Sequence, residues 1–127
     1  MTGYNVKIIE TSKELTARER IMVKDTSNAI SLDEITQNPE SGAVVLNVAA
    51  YAVLAVHNEK SDSKDYTKYL LIDESGNKYV TGSESFWEAF KEIWDEMADA
   101  GEAYSIEVYR LESKNYKGKS FITCSIV

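Results

Sequence analysis

A chain of 127 residues with 43% hydrophobic and 28% charged content is long enough for one domain with a proper core and too short for two. One cysteine and one histidine exclude an internal disulfide and a Cys/His zinc cluster. The longest apolar run, Ala43 to Val56, is interrupted by Asn47 and closes at His57, short of a membrane span. Met1 to Asn5 has neither the basic start nor the apolar stretch of a signal peptide, so no membrane partner and a cytoplasmic location are expected.

In chain order, Tyr4 to Glu10 and Arg18 to Lys24 are predicted as an N-terminal strand pair, and Ser31 to Ser41, which holds the single proline, Pro39, as a connecting loop. Gly42 to Val56 is rich in Val, Ala and Leu, and Val44, Leu46 and Val48 alternate as a half-buried strand requires. Its length calls for a bent strand that serves more than one edge. A polar loop, His57 to Asp65, comes next. Tyr66 to Asp73 and Asn77 to Thr81 then flank Glu74-Ser75-Gly76-Asn77, a hairpin signal because Gly and Asn tolerate positive φ.

The following segment predicts an amphipathic helix over Phe86 to Ala100. Ser85-Phe86-Trp87-Glu88 has the form of a capping box, Gly101 can close the far end, and Phe86, Phe90, Ile93 and Met97 share one helical face. That face is expected to be core, with Trp87 and Trp94 flanking it. Between Glu84 and Glu102 stand seven acids against one base, Lys91, so this segment carries all but one unit of the net charge of −7. The acidic total therefore leaves room for a basic site elsewhere, because exposed charges more than about 8 to 10 Å apart are largely screened at physiological salt. Ala103 to Glu112 and Lys119 to Val127 are strands about a basic turn, Ser113 to Gly118. Cys124, inside Phe121 to Ile126, is expected to be a small buried hydrophobe.

From Gly42 onward the order is strand, strand, strand, helix, strand, strand. The expected fold is mainly β with one helix (α+β): an OB-like five-stranded barrel, its helix between strands three and four, forming a single domain on which residues 1–41 pack as an N-terminal extension. The first and last interstrand loops of such a barrel bind oligonucleotides, and here both are basic and aromatic. Lys60, Lys64, Tyr66, Lys68 and Tyr69 flank the first, and Tyr109, Lys114, Tyr116, Lys117 and Lys119 the last. Ammonium groups suit phosphates and tyrosine rings suit unpaired bases of any identity, which is the chemistry of sequence-independent binding to single strands. The same residues also suit a solvated hairpin turn.

Leu71 to Tyr79, then the helix, Glu107-Val108-Tyr109, Ser113-Lys114-Asn115-Tyr116-Lys117-Gly118-Lys119-Ser120-Phe121 and a final strand resemble the small single-stranded-DNA-binding proteins of tailed phages that replicate by protein priming. The likeness covers roughly Ser31 to Val127. It implies an OB-like fold, single-stranded DNA as the ligand, a role in coating and protecting the displaced strand during replication, and the basic turn Lys114 to Lys119 as a contact. Other replication proteins are implied as further partners. The acidic, tryptophan-bearing helix and the N-terminal strand pair depart from that pattern and leave the oligomeric state open.

Catalytic chemistry finds little support, and no enzyme activity, cofactor or metal is expected. His57 reads as a loop-edge residue, the carboxylate pairs Asp95 and Asp99 or Glu88 and Glu92 as a solvated helix face, and Gly76, Gly82, Gly101 and Gly118 are too isolated to cradle a phosphate. The competing expectation is an acidic protein-binding module that mimics nucleic acid by presenting the helix carboxylates to a basic partner.

Overall fold

A computed structural model describes residues 4–36, 44–60, 65–112 and 120–127. Among the described residues the protein is mainly β. The chain divides into two compact units, each drawn from two stretches of sequence: Met1–Ile30 with Ala49–Gly82, and Ser31–Val48 with Ser83–Val127.

In the first unit the N-terminal segment does not form the expected strand pair. It supplies one strand, β1 (Tyr4–Thr11), and a helix, α1 (Ala17–Lys24). The reason is local: Thr16 and Glu19 make a capping box, with the Thr16 Oγ1 accepting from the Glu19 N–H at 3.2 Å and the Glu19 Oε1 accepting from the Thr16 N–H at 3.1 Å. Ala, Arg, Glu, Met and Lys in the following turns are good helix formers. Lys78 finishes the far end, its Nζ donating to the carbonyls of Met22 and Asp25 at 2.9 and 2.6 Å.

The chain then forms β2 (Ile30–Ser31), the short helix α2 (Leu32–Ile35), β3 (Val44–Leu46) and β4 (Val48–Asn58). The segment expected to be only a loop, Ser31 to Ser41, thus begins with a capped helical turn, where Ser31 Oγ accepts from the Glu34 N–H at 3.3 Å. Residues 37–43 lie outside the described residues. β5 (Asp65–Asp73) and β6 (Lys78–Thr81) follow, and the first sheet runs β1-β4-β5-β6-β2.

β1 pairs antiparallel with β4, and the register slips between Ile8 and Glu10. Ile9 is the extra residue of that bulge, which accounts for its 61% exposure. Ala52, Leu54 and Val56 of β4 form one buried cluster with Leu70 and Val23. The β5–β6 hairpin turns on Asp73, whose carboxylate accepts from the Ser75 and Asn77 N–H groups at 3.0 and 2.8 Å, while Gly76 takes φ 90°. Burial pushes the Asp73 carboxyl up, but the bonds from Asn77, Ser75 and Tyr79 together outweigh it and hold the group below its ordinary value.

The second unit has a three-stranded sheet, β3-β7-β8, with β7 (Ile106–Glu112) central and β8 (Ser120–Ile126) at its edge, and α3 (Glu84–Ala100) packs on β8. α3 starts two residues before the expected start. Ser83, not Ser85, is its N-cap, accepting from the Phe86 N–H at 3.2 Å, and Ser85 Oγ donates to the Ile122 carbonyl at 3.2 Å instead. Gly101 closes the helix at φ 68°, its N–H donating to the Met97 carbonyl at 3.0 Å. Phe86 and Phe90 are both fully buried with ring centroids 6.0 Å apart, and Trp87 and Trp94 lie 5.3 and 5.7 Å from Phe90.

Gly42 to Val56, expected as one bent strand, breaks at Asn47: β3 pairs with β7, while β4 pairs with β1 and β5. The described strands form two sheets with no closed barrel, and the described residues form three helices where one was expected. Phe90→Ala should cost about 3 to 5 kcal/mol, because the hole sits between three aromatic rings that cannot all collapse into it. Glu92→Lys and Glu96→Lys, on the exposed face, should stay within about 0.5 kcal/mol of wild type in urea unfolding. A Phe90→Ala protein that melts like wild type would mean that the core lies elsewhere.

Candidate nucleic-acid interface

The residues named from sequence fall in both units, and Lys64, Lys114, Tyr116, Lys117 and Lys119 lie outside the described residues. Lys60, Tyr66, Lys68 and Tyr69 belong to the first unit. Lys60 sits in the turn after β4, which Asn58 shapes by accepting the Lys60 N–H on its Oδ1 at 3.0 Å. Tyr66 and Lys68 are two apart on β5 and so share a face of the strand. The Lys68 ammonium stands 5.9 Å from the centroid of the Tyr66 ring, a cation–π pair.

Tyr69 does not join them. Three residues from Tyr66, it points to the opposite face, and at 8% exposure it is a core residue rather than a stacking platform. The strand period alone carries that signal. Tyr66 itself is half-buried and packs in part against the Leu54–Leu70 cluster, which limits how it can reorient.

Tyr109 belongs to the second unit, on β7 opposite Thr123. Its hydroxyl is 2.6 Å from the Ser125 Oγ, so the ring is held to the β8 side of the sheet. The β7–β8 ladder runs as far as the pair Glu112 and Ser120, and the segment expected from sequence as a basic turn lies outside the described residues.

Sequence reasoning passed over two features of the first unit. Where β1, β4 and β5 lie side by side, a cavity of about 320 Å³ is lined by Asn5, Lys7, Ala55, His57, Asp65 and Thr67 among others. Alternation along β1, with Val6 and Ile8 in the core and Asn5 and Lys7 on the other face, is the signal that could have found Lys7. At its edge His57 bonds two carboxylates, Nδ1 to Asp65 Oδ1 and Nε2 to Glu59 Oε1, both at 2.7 Å. The Asp65 bond first and the Glu59 bond second raise the imidazole above its ordinary 6.5. His57 thus sits at the edge of the loop, as expected, and is part of a charged cluster there.

The second is an apolar cavity of about 250 Å³ lined by Leu15, Met22, Val23, Ala50 and Ile72, with Lys13, Glu19 and Lys78 also on its walls. Lys13 is paired with Glu19 at 3.3 Å and Lys78 is bonded to α1, so its charged groups already have partners.

On α3 the carboxylates of Glu84, Glu88, Glu92, Asp95, Glu96 and Asp99 are exposed, and Lys91 reaches Asp95 at 3.4 Å. Cys124 is buried in β8, and loss of hydration pushes its thiol up to about 12. No protein-family model, curated protein or solved structure matches this chain.

Since the thiolate is the reactive form, the native protein should give almost no colour with Ellman's reagent at about pH 8 and a full equivalent of thiol once unfolded. Rapid reaction of the native protein would place Cys124 at the surface.

Proposed function

We propose that the protein binds single-stranded DNA without regard to sequence, coating and protecting displaced strand during replication in the cytoplasm, and that it binds rather than catalyses. The observation that carries this reading is the Tyr66–Lys68 pair: an aromatic ring and an ammonium group on one strand face near the start of β5. Such a pair offers a stacking face and a phosphate contact within one nucleotide's reach. Tyr69 is left out of this interface by its burial.

The finer fold reading goes with it. The run β3–β4 pairs with β5 through one half and β7 through the other, β5 pairs with β6, β7 pairs with β8, and α3 comes between β6 and β7 in the chain. A first strand that serves two edges and a helix after the third strand are what an OB-like arrangement requires, and its ligand loops would then be the β4–β5 and β7–β8 connections. The resemblance to the DNA-binding proteins of protein-primed phages favours the same ligand and, of the two loops, the basic segment Lys114 to Lys119, with other replication proteins as further partners.

The exposed carboxylates of α3 favour one rival, a nucleic-acid mimic that occupies a basic protein. A gel separates the two: the DNA binder shifts an unstructured oligonucleotide and releases it as salt rises, whereas the mimic leaves DNA alone and captures its basic partner.

Oligo-dT should quench the tyrosine and tryptophan fluorescence, and log affinity should fall linearly with log salt with a slope of only a few units, since few lysines are available to displace counterions. A flat titration at low salt would end the proposal. Lys114, Lys117 and Lys119 changed together to Ala should weaken binding alike for every sequence and lower the slope by up to about one unit per contact. Tyr116→Ala should cost roughly 1 to 3 kcal/mol with the slope kept, and Tyr116→Phe little, because the ring does the stacking. Unchanged affinity in the triple variant, with its circular dichroism intact, would move the site to Lys60, Lys64 and Tyr66.

A further inference from the structure

We propose that His57, Glu59 and Asp65 form a proton-operated clamp, which ties the end of β4 to the start of β5 while the imidazole is doubly protonated and releases one carboxylate when it is not. Ionised carboxylates only accept hydrogen bonds, so each ring nitrogen facing one must carry a proton. At 2.7 Å on both sides, the two bonds are satisfied together only by the imidazolium form. A neutral imidazole has one N–H. Its other nitrogen would present a lone pair to a carboxylate oxygen at the same short distance, and that contact is repulsive.

The positions of the three residues turn this local chemistry into a structural link. His57 lies near the end of β4, Glu59 in the turn that follows, and Asp65 opens β5. Among the described residues the other groups near the cluster are few. Asn5 lies directly across from His57 in the β1–β4 ladder, Lys7 is next on the same face of β1, and Lys60 follows Glu59 in the turn. Both lysines oppose charging of the imidazole. They act through solvent, whereas the carboxylates act by direct bonds, and the direct bonds prevail.

The raised imidazole fixes the pH window. Because the folded group holds its proton more tightly than the unfolded one, its stabilisation is complete below the ordinary value of 6.5 and disappears as pH rises through the higher, folded value. Proton loss also changes the local charge. With the imidazole protonated the cluster carries one net negative charge, and without it two, at the β4–β5 connection. Oligonucleotide affinity should therefore weaken as His57 deprotonates, a consequence that rests on the DNA-binding reading while the clamp itself does not.

His57 is the single histidine, so its ring can be followed in the intact chain by proton and nitrogen NMR from about pH 5 to 9. Expected are a midpoint above 6.5, both ring nitrogens protonated on the acid side, and amide shifts at Glu59, Lys60 and Asp65 that follow the same midpoint. In the Glu59→Gln, Asp65→Asn double variant the midpoint should return toward 6.5. A wild-type midpoint at or below 6.5, or one unmoved in the double variant, would overturn the clamp. Oligo-dT affinity measured at both ends of the range should fall with rising pH in wild type and lose that dependence in His57→Gln. A raised, carboxylate-dependent midpoint in a protein that binds no oligonucleotide at any pH would sustain the clamp and reject the DNA-binding reading instead.

Discussion

Pairing of β4 along both its edges is the constraint from which the first unit follows. Val48–Asn58 is the longest described strand, and it exchanges backbone hydrogen bonds with β1 on one side and β5 on the other. With both edges satisfied and residues on both faces buried, Tyr51 and Val53 on one and Ala52, Leu54 and Val56 on the other, a slip of one residue would exchange every one of these side chains between faces. Register is therefore tightly held here. The bulge at Ile9 absorbs the one mismatch at the edge strand, where an unpaired residue costs least. Ser12 adds to the hold by accepting the Tyr51 N–H on its hydroxyl at 2.9 Å and donating its own N–H to the Tyr51 carbonyl at 3.1 Å.

The second unit depends on aromatic burial. Phe86 and Phe90 anchor the apolar face of α3 with no exposed area of their own, and Ile122 and Cys124 of β8 with Val108 and Ile106 of β7 supply a buried apolar set in the sheet on which the helix packs. Such a face binds its helix firmly enough for the opposite face to carry a dense row of acids, although like charges one turn apart weaken a helix by some tenths of a kcal/mol per pair. Arg110 reinforces the unit in another way: its Nη2 donates to the Asp33 carbonyl at 2.7 Å, occupying a backbone acceptor of α2 from β7. One element thus stabilises the end of another, as Lys78 does for α1.

Charge placement links fold to function. Acids concentrated on α3 leave the β4–β5 connection with a balance of its own, in which Lys60 and Lys68 offset Glu59 and Asp65, and protonation of His57 adds one positive charge. Coulomb forces between exposed groups fade over about 8 to 10 Å at physiological salt, so the field at this connection follows the local balance more than the total of −7. A balance with so small a margin is sensitive to one proton.

Periodicity in the sequence determined the elements whose apolar residues repeat. The spacing of Phe86, Phe90, Ile93 and Met97 with Gly101 behind them gave α3 its face and its end, and Asp73 to Asn77 gave the hairpin its turn, because these features depend on neighbours within a few residues. α1 was missed although its Thr16–Glu19 box is just as local: only Val23 of that helix is buried, and a helix without an apolar stripe has no period to detect. Tertiary structure decided the rest. Whether Ser83 or Ser85 caps α3 turned on the Ile122 carbonyl, thirty-seven residues away, which takes the Ser85 hydroxyl. That Tyr66 and Tyr69 face opposite ways follows from strand geometry, but which of them is covered depends on what packs over each face. His57 meets Asp65 only because β4 and β5 run side by side, and a sequence read residue by residue does not carry the distance between two strands.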